Sequence, residues 1–178
     1  PLVDRGSWAT YMTITLDCDG NVDPPGGCET AFAYGADLAT CFIGTDFDGD
    51  GLDDGINRWG WSNGPLAEGD YAFDIYAGAG QCDLSKGTQV GTLEVSYNGQ
   101  AATVTYNMTG GSDYTMDEIH LYVGNDPLAS NNGEFTVAPG QYPVGEDLTN
   151  ATTYTTTIDV TGDIYVVAHA VVCGEDFE

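Results

Sequence analysis

The feature that most constrains the fold is a series of short segments in which apolar and polar residues alternate. This period of two is typical of β-strands with one buried face. Gly, Asn, Asp or Pro bounds each segment, as turns require, and Lys, Arg and Glu, which favour helices, are scarce. We therefore predict an all-β fold, an antiparallel β-sandwich or jelly roll with little or no helix. The segments are Trp8–Leu16, Tyr71–Tyr76, Val90–Tyr97, Ala101–Met108, Glu118–Val123, Thr152–Val160 and Ile164–Cys173.

Two turns and one strand carry more specific predictions. Asn98-Gly99 separates two alternating segments and supplies the positive-φ residues of a tight hairpin turn. The segment Thr161–Asp163 marks a turn between the last two strands. Ile164–Cys173 is apolar on both faces, so it is either a central strand covered on both sides or a strand that meets a neighbouring chain.

The charge composition excludes several classes of function. Lys and Arg total 3 against 28 Asp and Glu, a formal net charge of −25, so we expect no nucleic-acid binding. No segment reaches the roughly 18 apolar residues of a membrane helix, so we expect no membrane insertion. The sequence opens at Pro1 without a basic, apolar or cleavable leader, which predicts a mature, soluble chain. Bound cations or high ambient salt, both natural outside the cell, would offset the self-repulsion.

The most specific chemical motif is the acidic loop Asp46–Asn57. Its carboxylates at loop positions 1, 3, 5 and 9, its Gly at position 6 and a backbone carbonyl at position 7 match the spacing of a calcium loop. Five carboxylates within nine residues repel one another strongly unless a cation is bound, although a solvated acidic turn is the alternative. The predicted calcium ligands are Asp46, Asp48, Asp50, Leu52, Asp54 and Asn57.

Position 12 of the loop departs from the usual pattern. It is normally a bidentate acid, but here it is Asn57, so the closing ligand must come from Asn57, Asp53 or elsewhere. The loop resembles the calcium repeats of thrombospondin type 3 and dockerin modules over these twelve residues. A weaker second loop has the 1, 3, 5, 7 spacing without the Gly at position 6; its candidate ligands are Asp17, Asp19, Asn21 and Asp23.

A wider resemblance involves four segments: Cys28–Gly35, Asn57–Pro65, Tyr76–Cys82 and Val137–Pro143. Together they resemble an uncharacterised β-rich module of secreted bacterial surface proteins. The resemblance implies secretion and a structural or adhesive role, and it provides no catalytic residues. We divide the chain into an N-terminal arm and first strand (1–27) and a β-sandwich domain (28–178) with the calcium loop (46–57) inserted.

The five cysteines include no Cys-x-x-Cys pair, which indicates two disulfides and one leftover thiol in an oxidising compartment. The residues alone leave 15 arrangements open. If the chain contains the β-rich module that it resembles, Cys28 and Cys173 lie near the two ends of that module and are expected to pair. Cys41 and Cys82 flank the acidic loop and are expected to form the second pair, leaving Cys18 over.

No catalytic motif is present in the sequence. Gly-x-Ser-x-Gly, His-Glu-x-x-His and phosphate-binding loops are absent, and the two histidines, His120 and His169, lie inside predicted strands. His120 is expected to face solvent or to pack. The chain is therefore predicted not to be an enzyme.

Two functions remain. Trp59 and Trp61 alternate in one predicted strand, so they form either part of the core or an exposed platform for sugar rings, as in a carbohydrate-binding module that takes an extracellular glycan. The preferred function is an extracellular structural protein, a filament or surface-layer subunit or an adhesive module. Its first strand would pair with an open sheet edge of a neighbouring copy, and a plain monomer is the alternative. The candidate assembly residues are Trp8, Tyr11 and Ile14.

Overall fold

The computed structural model describes residues 26–111 and 113–177, and these form twelve strands and four single turns of 3-10 helix. The predicted first strand, Trp8–Leu16, lies outside the described residues. The strands are β1 Gly27–Tyr34, β2 Ala39–Cys41, β3 Trp61–Leu66, β4 Gly69–Ala77, β5 Thr88–Tyr97, β6 Ala101–Met108, β7 Tyr114–Gly124, β8 Ala129–Asn131, β9 Glu134–Thr136, β10 Val144–Ala151, β11 Thr153–Asp159 and β12 Ile164–Gly174. The helical turns are Ala36–Leu38, Gly80–Cys82, Leu84–Lys86 and Pro139–Gln141.

Ten strands form one antiparallel sheet, which confirms the predicted all-β fold. Its hydrogen-bonded order is β10-β7-β12-β1-β4-β5-β6-β11, with β3 attached to β12 and β2 to β3, while β8 and β9 form a separate hairpin. The Tyr106 hydroxyl on β6 donates to the carbonyls of His120 on β7 and His169 on β12, at 3.3 and 3.5 Å, although β6 is not adjacent to β7 or β12 in the sheet. These contacts show that the sheet folds over on itself. The sandwich is therefore made by two halves of one continuous sheet.

The main core lies between these two halves. Strand β6 shows how the sequence builds it: Ala102, Val104, Tyr106 and Met108 are buried, and the residues between them are half-buried. Apolar residues of β4, β5, β7 and β12 complete the same cluster, among them Phe73, Leu93, Leu121 and Val166. The alternation visible in the sequence is thus the signature of this core.

Strand β12 is central. One edge pairs with β7 along its length, and the other edge pairs with β3 at its start and β1 at its end. Ile164, Val166, Ala168, Ala170 and Val172 belong to the main core, whereas Val167 belongs to a second cluster on the opposite face. The interpretation of this strand as a central one covered on both sides is correct.

A buried amide joins the three strands that meet at the start of β12. Asn63 on β3 is 0% exposed, and its Nδ2 donates to the carbonyls of Ala33 on β1 and Val166 on β12, at 3.0 and 3.2 Å. Its Oδ1 accepts the Gly35 N–H at 2.7 Å. These backbone groups lie away from water and therefore need hydrogen-bond partners within the protein. The Asn63 side chain provides them at the point where β1 and β3 both pair with β12.

The predicted hairpin at Asn98-Gly99 joins β5 to β6, with Tyr97 opposite Ala102. Only Gly99 has positive φ, at 82°, so the expectation of positive φ at both residues is wrong for Asn98. Instead, the Asn98 carboxamide oxygen accepts the N–H groups of Gln100 and Ala101 at 3.0 and 2.8 Å. A side-chain cap of this kind stabilises a three-residue loop without a second left-handed residue.

The turn at Thr161–Asp163 connects two strands that are not neighbours. Strand β11 pairs with β6, and β12 pairs with β7, so this turn crosses from one half of the sheet to the other. The Asn125 amide, at the end of β7, donates to the carbonyls of Thr161 and Asp163 at 2.7 and 2.8 Å. That side chain fixes the crossover next to the strand it leads into.

Candidate metal-binding loop and the aromatic cavity beside it

Four residues separate the end of β2 at Cys41 from the acidic loop, which is closed at its base by three hydrogen bonds. The Thr45 hydroxyl donates to the Cys41 carbonyl at 2.7 Å, and the Asp54 N–H donates to the Thr45 carbonyl at 3.2 Å. The Asp54 carboxylate in turn accepts the Phe47 N–H at 2.9 Å. Residues 45 and 54 are therefore held together, and the carboxylates between them are confined to one short loop.

Three of the predicted ligands converge. Carboxylate oxygens of Asp46, Asp48 and Asp50 all lie within 4.8 Å of one another, and all three residues are exposed. The Asp46 carboxylate accepts the N–H groups of Gly49 and Gly51, both at 2.7 Å. These bonds, that of Gly51 foremost, lower the pKa of Asp46 below its usual value, so its carboxylate stays charged beside two others.

The remaining predicted ligands have different surroundings. Asp50 accepts the Leu52 N–H at 2.8 Å, and Asp53 accepts the Gly55 N–H at 2.8 Å. The Leu52 side chain is 70% exposed, so its role in packing is small and its backbone carbonyl stays the predicted ligand. Asn57 lines a separate cavity. The structure thus places three carboxylates together, and the closing ligand stays a prediction.

The chemistry of this loop suits a hard cation. Within residues 26–111 and 113–177, the two close charged pairs are Lys86 with Asp83 and His120 with Glu118, so none of the loop carboxylates is paired with a basic side chain. Clustered oxygen ligands in a Gly-rich loop are typical of calcium sites. The candidate second loop (Asp17, Asp19, Asn21 and Asp23) and the assembly residues Trp8, Tyr11 and Ile14 lie outside the described residues.

A second, smaller core covers the opposite face of β12. Trp61 is 3% exposed and packs against Tyr34 and Trp59, with ring centroids 5.1 and 5.7 Å apart. Trp59 is half-buried and lies just before β3, which begins at Trp61, so the expectation of one strand containing both is wrong. The interruption is Gly60, whose φ of 147° and contact with the Phe42 ring leave no room for a side chain. Trp61 is therefore a core residue and cannot serve as an exposed platform.

The two histidines meet across β7 and β12. His120 and His169 are opposite in register, and their Nδ1 atoms lie 3.3 Å apart. The Nε2 atom of His120 lies 3.1 Å from the Glu118 carboxylate. His169 is 5% exposed, and burial, followed by the neighbouring His120, lowers its pKa to about 3. Of the two roles expected for His120, facing solvent or packing, the structure shows packing against another histidine, a partner that the sequence does not reveal.

The disulfides join the two cysteine pairs expected from the sequence. Cys28 is bonded to Cys173 across β1 and β12, and Cys41 to Cys82 beside the second core. Cys18 lies outside the described residues. Disulfides of this kind are common in extracellular proteins. Across residues 26–111 and 113–177, no helix has the length and apolar character needed to cross a bilayer.

Comparisons of the chain with protein-family models, with curated proteins and with solved structures found no match.

Proposed function

We propose that the chain is a secreted, calcium-stabilised structural protein, without enzymatic activity, that assembles with copies of itself by strand addition. The observation that carries this proposal is the outer edge of β11. This strand ends the sheet, and within the described residues no strand pairs with its outer side. An unpaired row of backbone N–H and C=O groups is a template for another strand.

The composition of β11 leaves this edge unguarded. Its seven residues, Thr153–Asp159, include one charged side chain and neither Lys nor Pro. The exposed hydroxyls of Thr155 and Thr157 lie against those of Thr105 and Thr103 on β6, at 3.1 and 2.9 Å, so they stiffen the edge without protecting it. By contrast β10, at the other end of the sheet, carries Glu146 and Asp147. Strand β11 is therefore the favoured acceptor.

The proposed occupant of this edge is the Trp8–Leu16 segment of a second copy. Its nine residues alternate apolar and polar side chains, and they are enough to pair along the whole seven-residue acceptor strand. Because each copy would give one strand and accept another, such contacts are head-to-tail and generate open fibres unless the rotation closes.

The repulsion among the chain's carboxylates is the reason for including calcium in this proposal. The three converging carboxylates of Asp46, Asp48 and Asp50 belong to a chain with a net charge of −25. A bound divalent cation would lower this repulsion within each subunit. The two disulfides support an oxidising, extracellular location.

The assembly proposal is tested by a matched pair of lysine substitutions. Thr157→Lys places a cation on the β11 edge, whereas Thr103→Lys places it on the directly paired residue of β6, an interior strand. Sedimentation velocity of the full chain should show that Thr157→Lys shifts the protein towards monomer and that Thr103→Lys leaves assembly as in the wild type. Equal effects of the two substitutions, or none, would contradict strand addition at β11.

The calcium proposal is tested separately by thermal unfolding with and without a chelator. A cation at about 100 times its dissociation constant stabilises the folded state by about 2.7 kcal/mol, equivalent to about 5–10 °C in a chain of this size. Asp48→Asn, within the carboxylate cluster, should abolish most of this difference. Glu94→Gln, which removes one exposed carboxylate on β5 outside the acidic loop, is the control and should keep most of it. An unchanged wild-type melting temperature in chelator would refute calcium binding.

A further inference from the structure

A cavity of about 550 Å³ lies beside the acidic loop, on the face of β12 opposite the main core. Its floor is built by two cross-strand pairs of β1 and β12, Thr30 with Val171 and Phe32 with His169. One wall is the segment 57–59 that follows the acidic loop, and the other is formed by Val137 and Pro139. The cavity is thus assembled from four distant parts of the chain.

The cavity contains a fixed aromatic ring. The half-buried Trp59 makes edge-to-face contacts with Phe32 and Trp61, at centroid distances of 5.3 and 5.7 Å. These contacts hold the indole in place, so a ligand that packs against its exposed part pays little entropy to order it. The face of an indole ring packs well against the apolar C–H groups on one side of a pyranose chair.

A buried nitrogen points to a hydrogen-bonding ligand. His169 is 5% exposed and lines the cavity, and its Nδ1 is occupied by His120. Its Nε2 has no hydrogen-bond partner among the described residues. Every fully buried side-chain N or O atom of those residues has a partner, so this Nε2 is not fully buried and reaches the cavity surface. Because Glu118 accepts from Nε2 of His120, the contact between the two Nδ1 atoms is satisfied when His169 donates its Nδ1–H to Nδ1 of His120. This orientation leaves His169 Nε2 as an acceptor for a ligand hydroxyl.

A lone cation completes the cavity. Arg58 is exposed on its wall and forms no ion pair with any carboxylate of residues 26–111 and 113–177, although the chain carries 28 acidic residues. The other described cation, Lys86, is paired with Asp83 at 3.6 Å. A planar guanidinium with free donors binds a carboxylate in a bidentate manner. Arg58 is therefore free to pair with one carboxylate of a ligand, and this local pairing must outweigh the repulsion from the chain's net charge of −25.

We propose that this cavity binds a uronic-acid unit of an acidic polysaccharide. The pyranose ring packs against Trp59, its carboxylate pairs with Arg58, and its hydroxyls bond to the Asn57 amide and to Nε2 of His169. The proposal concerns neither calcium nor strand addition, and it differs from a Trp59/Trp61 platform because Trp61 is buried.

Binding is measured by isothermal titration calorimetry at constant calcium with tetramers of galacturonate, glucuronate and mannuronate, and with maltotetraose as the neutral probe. At least one uronate tetramer should bind saturably and at least tenfold more tightly than maltotetraose. Arg58→Gln and Trp59→Ala should each weaken that binding at least tenfold. Lys86→Gln, which removes the same charge away from the cavity, should bind as the wild type does.

Three results would overturn the proposal: no saturable binding of any uronate tetramer, equal binding of maltotetraose, or equal losses in Arg58→Gln and Lys86→Gln. Because Arg58 is exposed, its substitution leaves the fold intact and keeps the test valid even if Trp59→Ala destabilises the protein. Thr157→Lys, on the far edge strand, should bind the uronates normally, so failure of sugar binding and failure of assembly are distinguishable.

Discussion

Removing the Cys28–Cys173 disulfide should be the most damaging covalent change available in this chain. The bond closes a loop with a sequence separation of 145 residues between strands that are directly paired in register. Loop-closure entropy for that length corresponds to about 5 kcal/mol of stabilisation, against about 4 kcal/mol for the separation of 41 residues between Cys41 and Cys82. In a chain of this size, 5 kcal/mol corresponds to about 10–20 °C in melting temperature.

The assay is urea unfolding of the Cys28→Ala/Cys173→Ala double variant beside the oxidised wild type. Cys28 is exposed and Cys173 half-exposed, so little packing is lost, and the effect should arise in a less restricted unfolded state with a larger denaturant slope. Thr30→Ala/Val171→Ala, a nearby pair in the same register, is the control and should cost about 1 kcal/mol. A loss below about 1 kcal/mol in the cysteine variant, with an unchanged slope, would refute the reasoning.

Three further predictions concern buried side chains. Asn63→Ala should lower the free energy of unfolding in urea by about 3 kcal/mol or more, because it leaves three buried backbone groups without a hydrogen-bond partner. A loss below about 1 kcal/mol would contradict that role. Trp61→Ala should cost about 3–5 kcal/mol because Trp61 is a core residue, whereas a fully stable variant would place it on the surface. His169 has a pKa of about 3 when folded, so stability falls as pH drops below about 6.5, when only the unfolded chain is protonated. Relative to His169→Gln, the wild type should lose about 2 kcal/mol between pH 7 and pH 5, and parallel pH profiles would contradict this.

Alternation in the sequence predicted the strands that face the main core. Strands β4, β5, β6, β7, β11 and β12 all contain predicted segments. In β4, β5, β6, β7 and β11 one face is more buried than the other, whereas β12 is apolar on both faces and packs on both. Strands β1, β2, β8, β9 and β10 lie outside the predicted segments, and of β3 only Trp61 was placed in a predicted strand. Strand β10 is mostly exposed, and β3 contains Asn63, Gly64 and Pro65, whose stability in a strand depends on partners from β1 and β12.

The candidate sites also differ in how far the sequence could locate them. The acidic loop is local, so spacing alone located the carboxylates that converge in the structure. The cavity at Trp59 could not be found from the sequence because its floor depends on the register that places Phe32 opposite His169, more than a hundred residues apart. The contact between His120 and His169 depends on register in the same way.

Electron microscopy of the full chain in calcium, beside a variant lacking residues 1–16, tests the central claim most directly. The variant retains all of the described strands and both disulfides, so its fold should persist. Strand addition predicts regular filaments or closed oligomers of the full chain and dispersed single particles of the variant. Single particles of the full chain at high concentration, or filaments of both proteins, would contradict it.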